Sequence, residues 1–256
     1  MRFASSPLRE PNNRIMCPRQ PRHHFTEGAS LVRGTNGYLL ELLLTEYRKS
    51  FNDLEPNGTI ADLGDVVGGA TPSKKNKAFF TASGIAWITP RDLSGTTNVF
   101  IGHGATDITR DGFDSCSTKL MPQGSVLFSS RAPVGYVAIA SNSVCTNQGF
   151  KSAVPRPEVG AAFIYCFLKL NAKEIEKAGS GTTFIEVSGK TMKSFPAPVP
   201  TVDASKWFSA QTQPLLNSIR SSEKEAVLLA QLRDALLPKL MSGEIDVSKV
   251  ELPRLG

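Results

Sequence analysis

The sequence predicts an α/β (α+β) fold in which one mixed α/β domain is flanked by long helices that pair as a coiled-coil-like spacer. Three observations predict it. Apolar residues recur at three- and four-residue intervals near residue 40 and again beyond residue 204. Between those stretches, short β-type runs alternate with loops rich in Gly, Ser, Thr and Asn. The composition, 40% hydrophobic and 20% charged, is that of a globular chain able to bury a core. No apolar run reaches the roughly 18–20 residues of a membrane helix.

Residues 1–35 carry Pro7, Pro11, Pro18 and Pro21 without hydrophobic periodicity, which predicts a disordered basic arm. Residues 36–56 read as a helix. Leu39, Leu40, Leu42, Leu43, Tyr47 and Phe51 fall largely on one face, and Pro56-Asn57-Gly58 ends it. Residues 57–200 form the mixed domain, with strands expected at Ile85–Ile88, Ser125–Phe128 and Gly135–Ala140 and a helix at Ala161–Leu170. Residues 201–246 read as a C-terminal helix, and residues 247–256 as a tail. The helix carries an apolar seam of Leu215, Ile219, Ala226, Leu229, Leu232, Leu236 and Leu240, spaced to meet another helix. Pro214 and Pro238 predict kinks or interruptions in it, and Gly243 supplies its stop.

A net charge of +6 and a pI near 9.2 suggest an anionic partner. Yet six arginines against Glu10 and Glu27 in residues 1–33 supply +4 of that charge (6 − 2), leaving +2 (6 − 4) for the rest. Anion binding by the folded part must therefore come from locally placed lysines and arginines. Cys17, Cys116, Cys145 and Cys166 form no C-x-x-C pair, and only His23, His24 and His103 can supplement them, so no metal site is expected. Without a visible secretory apolar region, reduced thiols in a cytoplasm are the expected state.

Catalytic signatures are weak. Gly189-Lys190-Thr191 has the ending of a phosphate-binding loop, but the required earlier glycine falls at Phe184. No Gly-rich fingerprint opens a βαβ unit, and no cofactor is expected. A hydrolase would have to combine Cys145 or Ser130 with His103 and Asp107 or Asp114, and neither nucleophile has a recognisable flank. The expectation is a non-catalytic chain, with a small Cys/Ser hydrolase as the rival reading and a decayed scaffold as a third.

Several segments carry polar groups suited to DNA. Thr71-Pro72-Ser73-Lys74-Lys75, with Lys77, reads as a turn whose hydroxyls, amides and lysines can meet phosphates; the alternative is a solvated charged loop. Arg91, after Thr89-Pro90, sits where it can reach a guanine edge or a phosphate, or instead pair with Asp92. Arg131 in Ser-Ser-Arg-Ala-Pro suits either DNA contact or a clamp on carbonyls and carboxylates, the latter favoured by its rigid fork. Tyr136, Asn147 and Gln148 can contact bases, but Gly149-Phe150 beside them favours a packed turn. Trp87, Phe128, Phe150 and Phe184 read as core. Gly179-Ser180-Gly181-Thr182-Thr183 is a polar loop between Lys177 and Lys190, and Thr182, Thr183 and Lys190 are its expected phosphate contacts.

Four stretches in order carry a family resemblance: Gly68-Gly69-Ala70-Thr71-Pro72-Ser73; Trp87-Ile88-Thr89-Pro90-Arg91-Asp92-Leu93-Ser94; Gly124 through Ser129-Ser130-Arg131-Ala132-Pro133-Val134-Gly135-Tyr136 to Asn147-Gln148-Gly149-Phe150-Lys151-Ser152; and Gly179 to Phe184. With Leu232-Arg233-Asp234-Ala235-Leu236-Leu237-Pro238-Lys239-Leu240-Met241-Ser242-Gly243, they resemble the specificity subunit of type I restriction-modification systems over about residues 36–246. The resemblance implies a subunit with no active site that reads double-stranded DNA and holds methyltransferase and restriction subunits. A complete member has two recognition domains separated by helical regions. This chain is similar to the second half, with one recognition domain at 57–200, and is expected to read a half-site as a homodimer or beside a second recognition half.

Overall fold

The computed structural model describes residues 24–181 and 185–245, with side chains from residue 34 onward. Helix α1 spans His24–Phe51. It begins earlier than the periodicity predicts, so residues 24–35 are helical and do not belong to a disordered arm. No proline follows Pro21 until Pro56, and a polar stretch without an apolar stripe still continues a helix already nucleated beside it. Residues 1–23 of the expected arm lie outside the described residues, as does the tail from residue 246. Leu43, Leu44, Tyr47 and Phe51 are buried, whereas Leu42 faces solvent. The buried face thus follows the i, i+4, i+8 row through 43, 47 and 51.

The mixed domain follows as β1 (Gly58–Thr59), α2 (Ile60–Leu63), β2 (Gly64–Gly68), β3 (Phe80–Thr81), β4 (Trp87–Ile88), α3 (Pro90–Leu93), β5 (Phe100–Ile101) and β6 (Asp107–Ile108). It continues through α4 (Arg110–Asp114), β7 (Val126–Phe128), β8 (Val137–Ala140), β9 (Cys145–Thr146) and β10 (Lys151–Pro155). It closes with α5 (Ala161–Leu170), α6 (Ala172–Lys177), α7 (Gly189–Ser194) and β11 (Pro196–Ala197), before α8 (Val202–Met241).

A five-stranded sheet of order β2-β10-β7-β8-β5 forms its centre, antiparallel except for the β5–β8 pair. Side chains alternate across this sheet. Val126, Phe128, Val137 and Ile139 join the core under α5, α1 and α8, while Leu127, Ala138 and Ala140 join a second core with Ile88, Leu93, Met121 and Phe150. Two-stranded pairs β1–β11, β3–β6 and β4–β9 frame it.

The larger core is aromatic where the helices meet it. Tyr47 and Phe51 of α1, Phe163 of α5 and Phe208 of α8 contact one another with ring centroids 5.0–6.5 Å apart. Tilted and edge-on contacts of this kind add about 0.5–1.5 kcal/mol per pair beyond the area they bury.

Helix α8 runs unbroken through Pro214 and Pro238, contrary to the expected interruptions. An interior proline removes one backbone hydrogen bond and costs about 3 kcal/mol. Around Pro214, the buried side chains Phe208, Thr212, Leu216 and Ile219 hold the helix together. Gly243, at φ +75°, takes the left-handed conformation that ends it.

Two polar contacts dock α8 on the sheet. Glu223 accepts the Val99 and Phe100 amides, at 2.6 and 3.0 Å, and Arg220 donates to the Ser141 carbonyl at 2.7 Å.

Candidate nucleic-acid interface

The parallel pairing of β4 with β9 organises the site. Both strands end at the same edge, so the segments that follow them, Thr89–Arg91 and Asn147–Gln148, emerge side by side. Asn147 N donates to the Ile88 carbonyl at 3.0 Å and fixes that juxtaposition.

A third segment is drawn onto the same edge. Ala70 N donates to the Thr146 carbonyl at 3.0 Å, and the Trp87 indole N–H donates to the Ala70 carbonyl at 3.1 Å. Only glycine permits this approach at position 69, where a Cβ would lie 2.2 Å from the carbonyl oxygens of both Thr146 and Asn147. The Thr71 hydroxyl then donates to the Gln148 side-chain oxygen.

The β7–β8 connection supplies a fourth segment. Ser129 accepts the Tyr136 amide at 2.8 Å and donates to the Pro133 carbonyl at 2.9 Å, so Pro133 and Tyr136 are held against the groove. The Ala132–Pro133 peptide bond is cis.

The resulting groove is lined by Thr71, Lys74, Thr89, Arg91, Tyr136, Asn147 and Gln148, with apolar surface from Phe80, Trp87 and Pro133. No carboxylate among the described residues lines it. Asp92 lies close by but is fully engaged. One of its oxygens accepts the Thr89 amide and hydroxyl, both at 2.7 Å, in a reciprocal cap on α3, and the other accepts the Ala105 amide at 2.9 Å. Arg91 therefore does not pair with Asp92, and its exposed guanidinium is directed to the groove. Thr89 gives its proton to the cap and offers the groove only an acceptor lone pair.

The lysine loop stands at the rim. Asn76 N donates to the Ser73 carbonyl at 3.1 Å, closing a turn with Lys74 and Lys75 at its tip. The Asn76 side chain accepts the Ala78 amide and caps the short 3-10 turn that opens with Lys77. Ser73, Lys74, Lys75 and Lys77 are exposed, and of these Lys74 lines the groove.

The other expected contacts lie elsewhere. Arg131 pairs with Glu186 at 2.9 Å and fastens the β7–β8 connection to the segment before α7, a clamp and not a groove-lining residue. Lys190 lies in a separate cleft with Lys151 and Lys193. Thr182, Thr183 and Phe184 fall outside the described residues, although the base of their loop is closed by backbone bonds between Ser180 and Glu186. Trp87, Phe128 and Phe150 are buried, as core residues should be.

Tyr136, Asn147 and Gln148 are not sealed in a packed turn, as Gly149-Phe150 beside them would suggest. Tyr136 and Asn147 are half-buried and Gln148 is exposed, with all three at the groove. The available signal was three polar side chains next to a glycine-dependent turn, where packing alone would favour apolar ones.

The groups a hydrolase would need are scattered or sealed. Cys145 is buried, and burial pushes its thiol up to about 12; its Sγ contacts the Ala86 carbonyl at 3.4 Å. The Ser130 hydroxyl is buried and donates to the Gly149 carbonyl at 3.2 Å. His103 pairs with Asp107 at 3.3 Å and Asp114 with Arg110 at 2.8 Å.

Residues 55–220 match the family described as Type I restriction modification DNA specificity domain. The type I restriction enzyme MjaIX specificity subunit of Methanocaldococcus jannaschii is 34% identical over 175 residues, covering 68% of this chain and 40% of that protein. The HindI specificity subunit of Haemophilus influenzae is 29% identical over 189 residues, 73% of this chain and 40% of that protein. The chain thus spans about 40% of the length of these relatives. A crystal structure of a type I restriction-modification S subunit from M. genitalium superposes with a TM-score of 0.50 at 20% identity, over 72% of this chain and 45% of that one. With its single recognition-type domain and this match across residues 55–220, the chain belongs to the type I restriction-modification DNA specificity family.

Proposed function

We propose that the chain is the DNA-reading specificity subunit of a type I restriction-modification complex, itself non-catalytic, cytoplasmic and directing methyltransferase and restriction subunits to a target half-site. One observation carries this reading. Four segments distant in sequence converge on a groove that offers Arg91, Asn147, Gln148 and Tyr136 beside Lys74, with no carboxylate among its described lining residues. Arginine matches the O6/N7 edge of guanine and amide side chains match the N6/N7 edge of adenine, so the groove carries base-reading chemistry. Lys74, Lys75 and Lys77 supply phosphate contacts that set register without reading sequence.

Partner binding falls to the helices. Beyond Glu223, α8 carries Leu229, Leu232, Leu236 and Leu240 exposed along one face. That stripe supports pairing with a second copy of the chain, each copy supplying one half-site reader, and this assembly is what the methyltransferase and restriction subunits engage. Ala226 is half-buried at the start of the stripe, whereas Leu215 and Ile219 pack into the core of the domain. The free seam accordingly begins later than the sequence pattern suggests.

Mapping of methylated motifs in genomic DNA with and without the gene tests the reading. A motif that disappears with the gene, and becomes degenerate at one position with Arg91→Ala, supports it. An unchanged methylome refutes it.

A further inference from the structure

A second cleft adjoins the reading groove. It is lined by Lys151, Lys190 and Lys193 together with Thr59, Gly68 and Ser194, and no carboxylate among the described residues lines it. Two acidic groups beside it are engaged: Glu186 pairs with Arg131 at 2.9 Å, and Asp62 accepts both the amide and the hydroxyl of Thr59 at 2.8 Å. The Lys151 stem passes beside Gly68 and Gly189. Among the described residues its Nζ has one hydrogen-bond partner, the Phe150 carbonyl at 3.4 Å. Burial depresses the Lys151 ammonium below the usual lysine range, a cost that an anion in the cleft would relieve.

The chain ties this cleft to the groove on both walls. β10 opens with Lys151 three residues after Gln148, and β2 ends at Gly68 three residues before Thr71; Lys151 and Gly68 are register partners. Three residues span at most about 10–11 Å, or about three base-pair steps of 3.4 Å along a duplex.

We infer that Lys151, Lys190 and Lys193 form a backbone clamp that holds duplex phosphates at most about three base pairs outside the bases read in the groove. This rests on the DNA-reading function proposed above. The clamp adds affinity without sequence information, because it meets only phosphates.

The test uses the full chain, a 30-base-pair duplex of random sequence and a 30-nucleotide single-stranded RNA, with affinity measured against salt from 20 mM upward. Lys190→Gln with Lys193→Gln is expected to lower the duplex salt slope by about two units, at about 0.9 per lost phosphate contact. Lys151→Met, which keeps the stem, should lower it by about one. The preference for the methylated motif over random duplex should stay unchanged in both variants, while Arg91→Ala lowers that preference and leaves the clamp's share of the slope. Unaltered slopes in correctly folded variants would overturn the clamp but leave DNA reading intact. A slope lost only on the RNA would reassign the cleft and overturn it too. If the wild-type chain binds no duplex at 20 mM salt, the clamp and the reading function fall together.

Discussion

The Glu223 carboxylate of α8 accepts the Val99 amide at 2.6 Å, joining the helix to the open edge of the five-stranded sheet. The other oxygen takes the Phe100 amide at 3.0 Å, so one side chain satisfies two donors of edge strand β5 and its approach. Removing it by Glu223→Ala leaves those amides unpaired at a helix–sheet contact, at a cost of about 1–3 kcal/mol for each buried one. Thermal unfolding should show a clear loss. An unchanged melting temperature would mean that the contact adds nothing.

The same group gives a pH dependence. Burial raises the Glu223 carboxyl above the usual carboxylate value, more than the two amide hydrogen bonds lower it. A raised folded-state value makes its contribution fully present below the unfolded value and lost as pH rises through the folded one. Stability of the wild type relative to Glu223→Gln should therefore be greater in acid than at neutral pH. A difference that grows with rising pH instead would show that the hydrogen bonds win.

Gly69 tests how the groove is built. A Cβ at this position meets two carbonyl oxygens at 2.2 Å, and both belong to the backbone that leads into Asn147–Gln148. Gly69→Ala should displace the 70–75 loop, break the Ala70–Thr146 hydrogen bond and abolish motif-specific methylation. Retained non-specific DNA binding is expected, because Lys74, Lys75 and Lys77 remain exposed. A variant with native motif specificity would contradict the placement of this loop.

Replacing Lys74, Lys75 and Lys77 by Ala should weaken binding similarly for all sequences and flatten the salt dependence by about 0.9 per lost contact. Arg91→Ala should act differently, costing about 1–3 kcal/mol at one position of the target and little elsewhere. Binding measured across a library of single-base target variants separates the two patterns. Uniform weakening by Arg91→Ala would make it another phosphate contact.

Periodicity made the helices and sheet faces legible. The Ala161–Leu170 helix appears at its expected limits, and the runs ending in Phe128 and Ala140 form the central strands. The lysine loop was visible because turn chemistry is local. The parallel β4–β9 pair was not, since two strands of two residues each, separated by residues 89–144, leave no periodic trace. Yet that pair brings Arg91 beside Asn147 and Gln148, so the groove could be foreseen only in pieces. Arg220 and Glu223 escaped notice for a related reason. They look like solvated helix charges, and only the sheet edge opposite them makes them structural.

Apolar spacing along α8 also concealed a division of labour. Leu216 and Ile219 are buried in the domain, with Leu215 packed beside them, but the same stripe continues past the last buried side chain at Glu223 into solvent. From there to Met241 the helix extends about 27 Å at 1.5 Å per residue. Leu229 and Leu232 are 49% and 54% exposed, and Leu236 and Leu240 are each 37% exposed. Leucines at three- and four-residue spacing form one apolar face, which water disfavours unless another helix covers it. Under the proposed pairing a second copy would supply a matching stripe, and a two-fold pair of readers would call for an inverted repeat in the target, with its spacer length set by the helices. Leu229→Glu with Leu236→Glu places charges on this face and touches nothing in the domain core. The variant should become monomeric by light scattering, lose methylation with its methyltransferase partner and keep the melting temperature of the recognition domain. A wild-type chain present as one copy per methyltransferase complex, reading a single unrepeated motif, would exclude the paired arrangement.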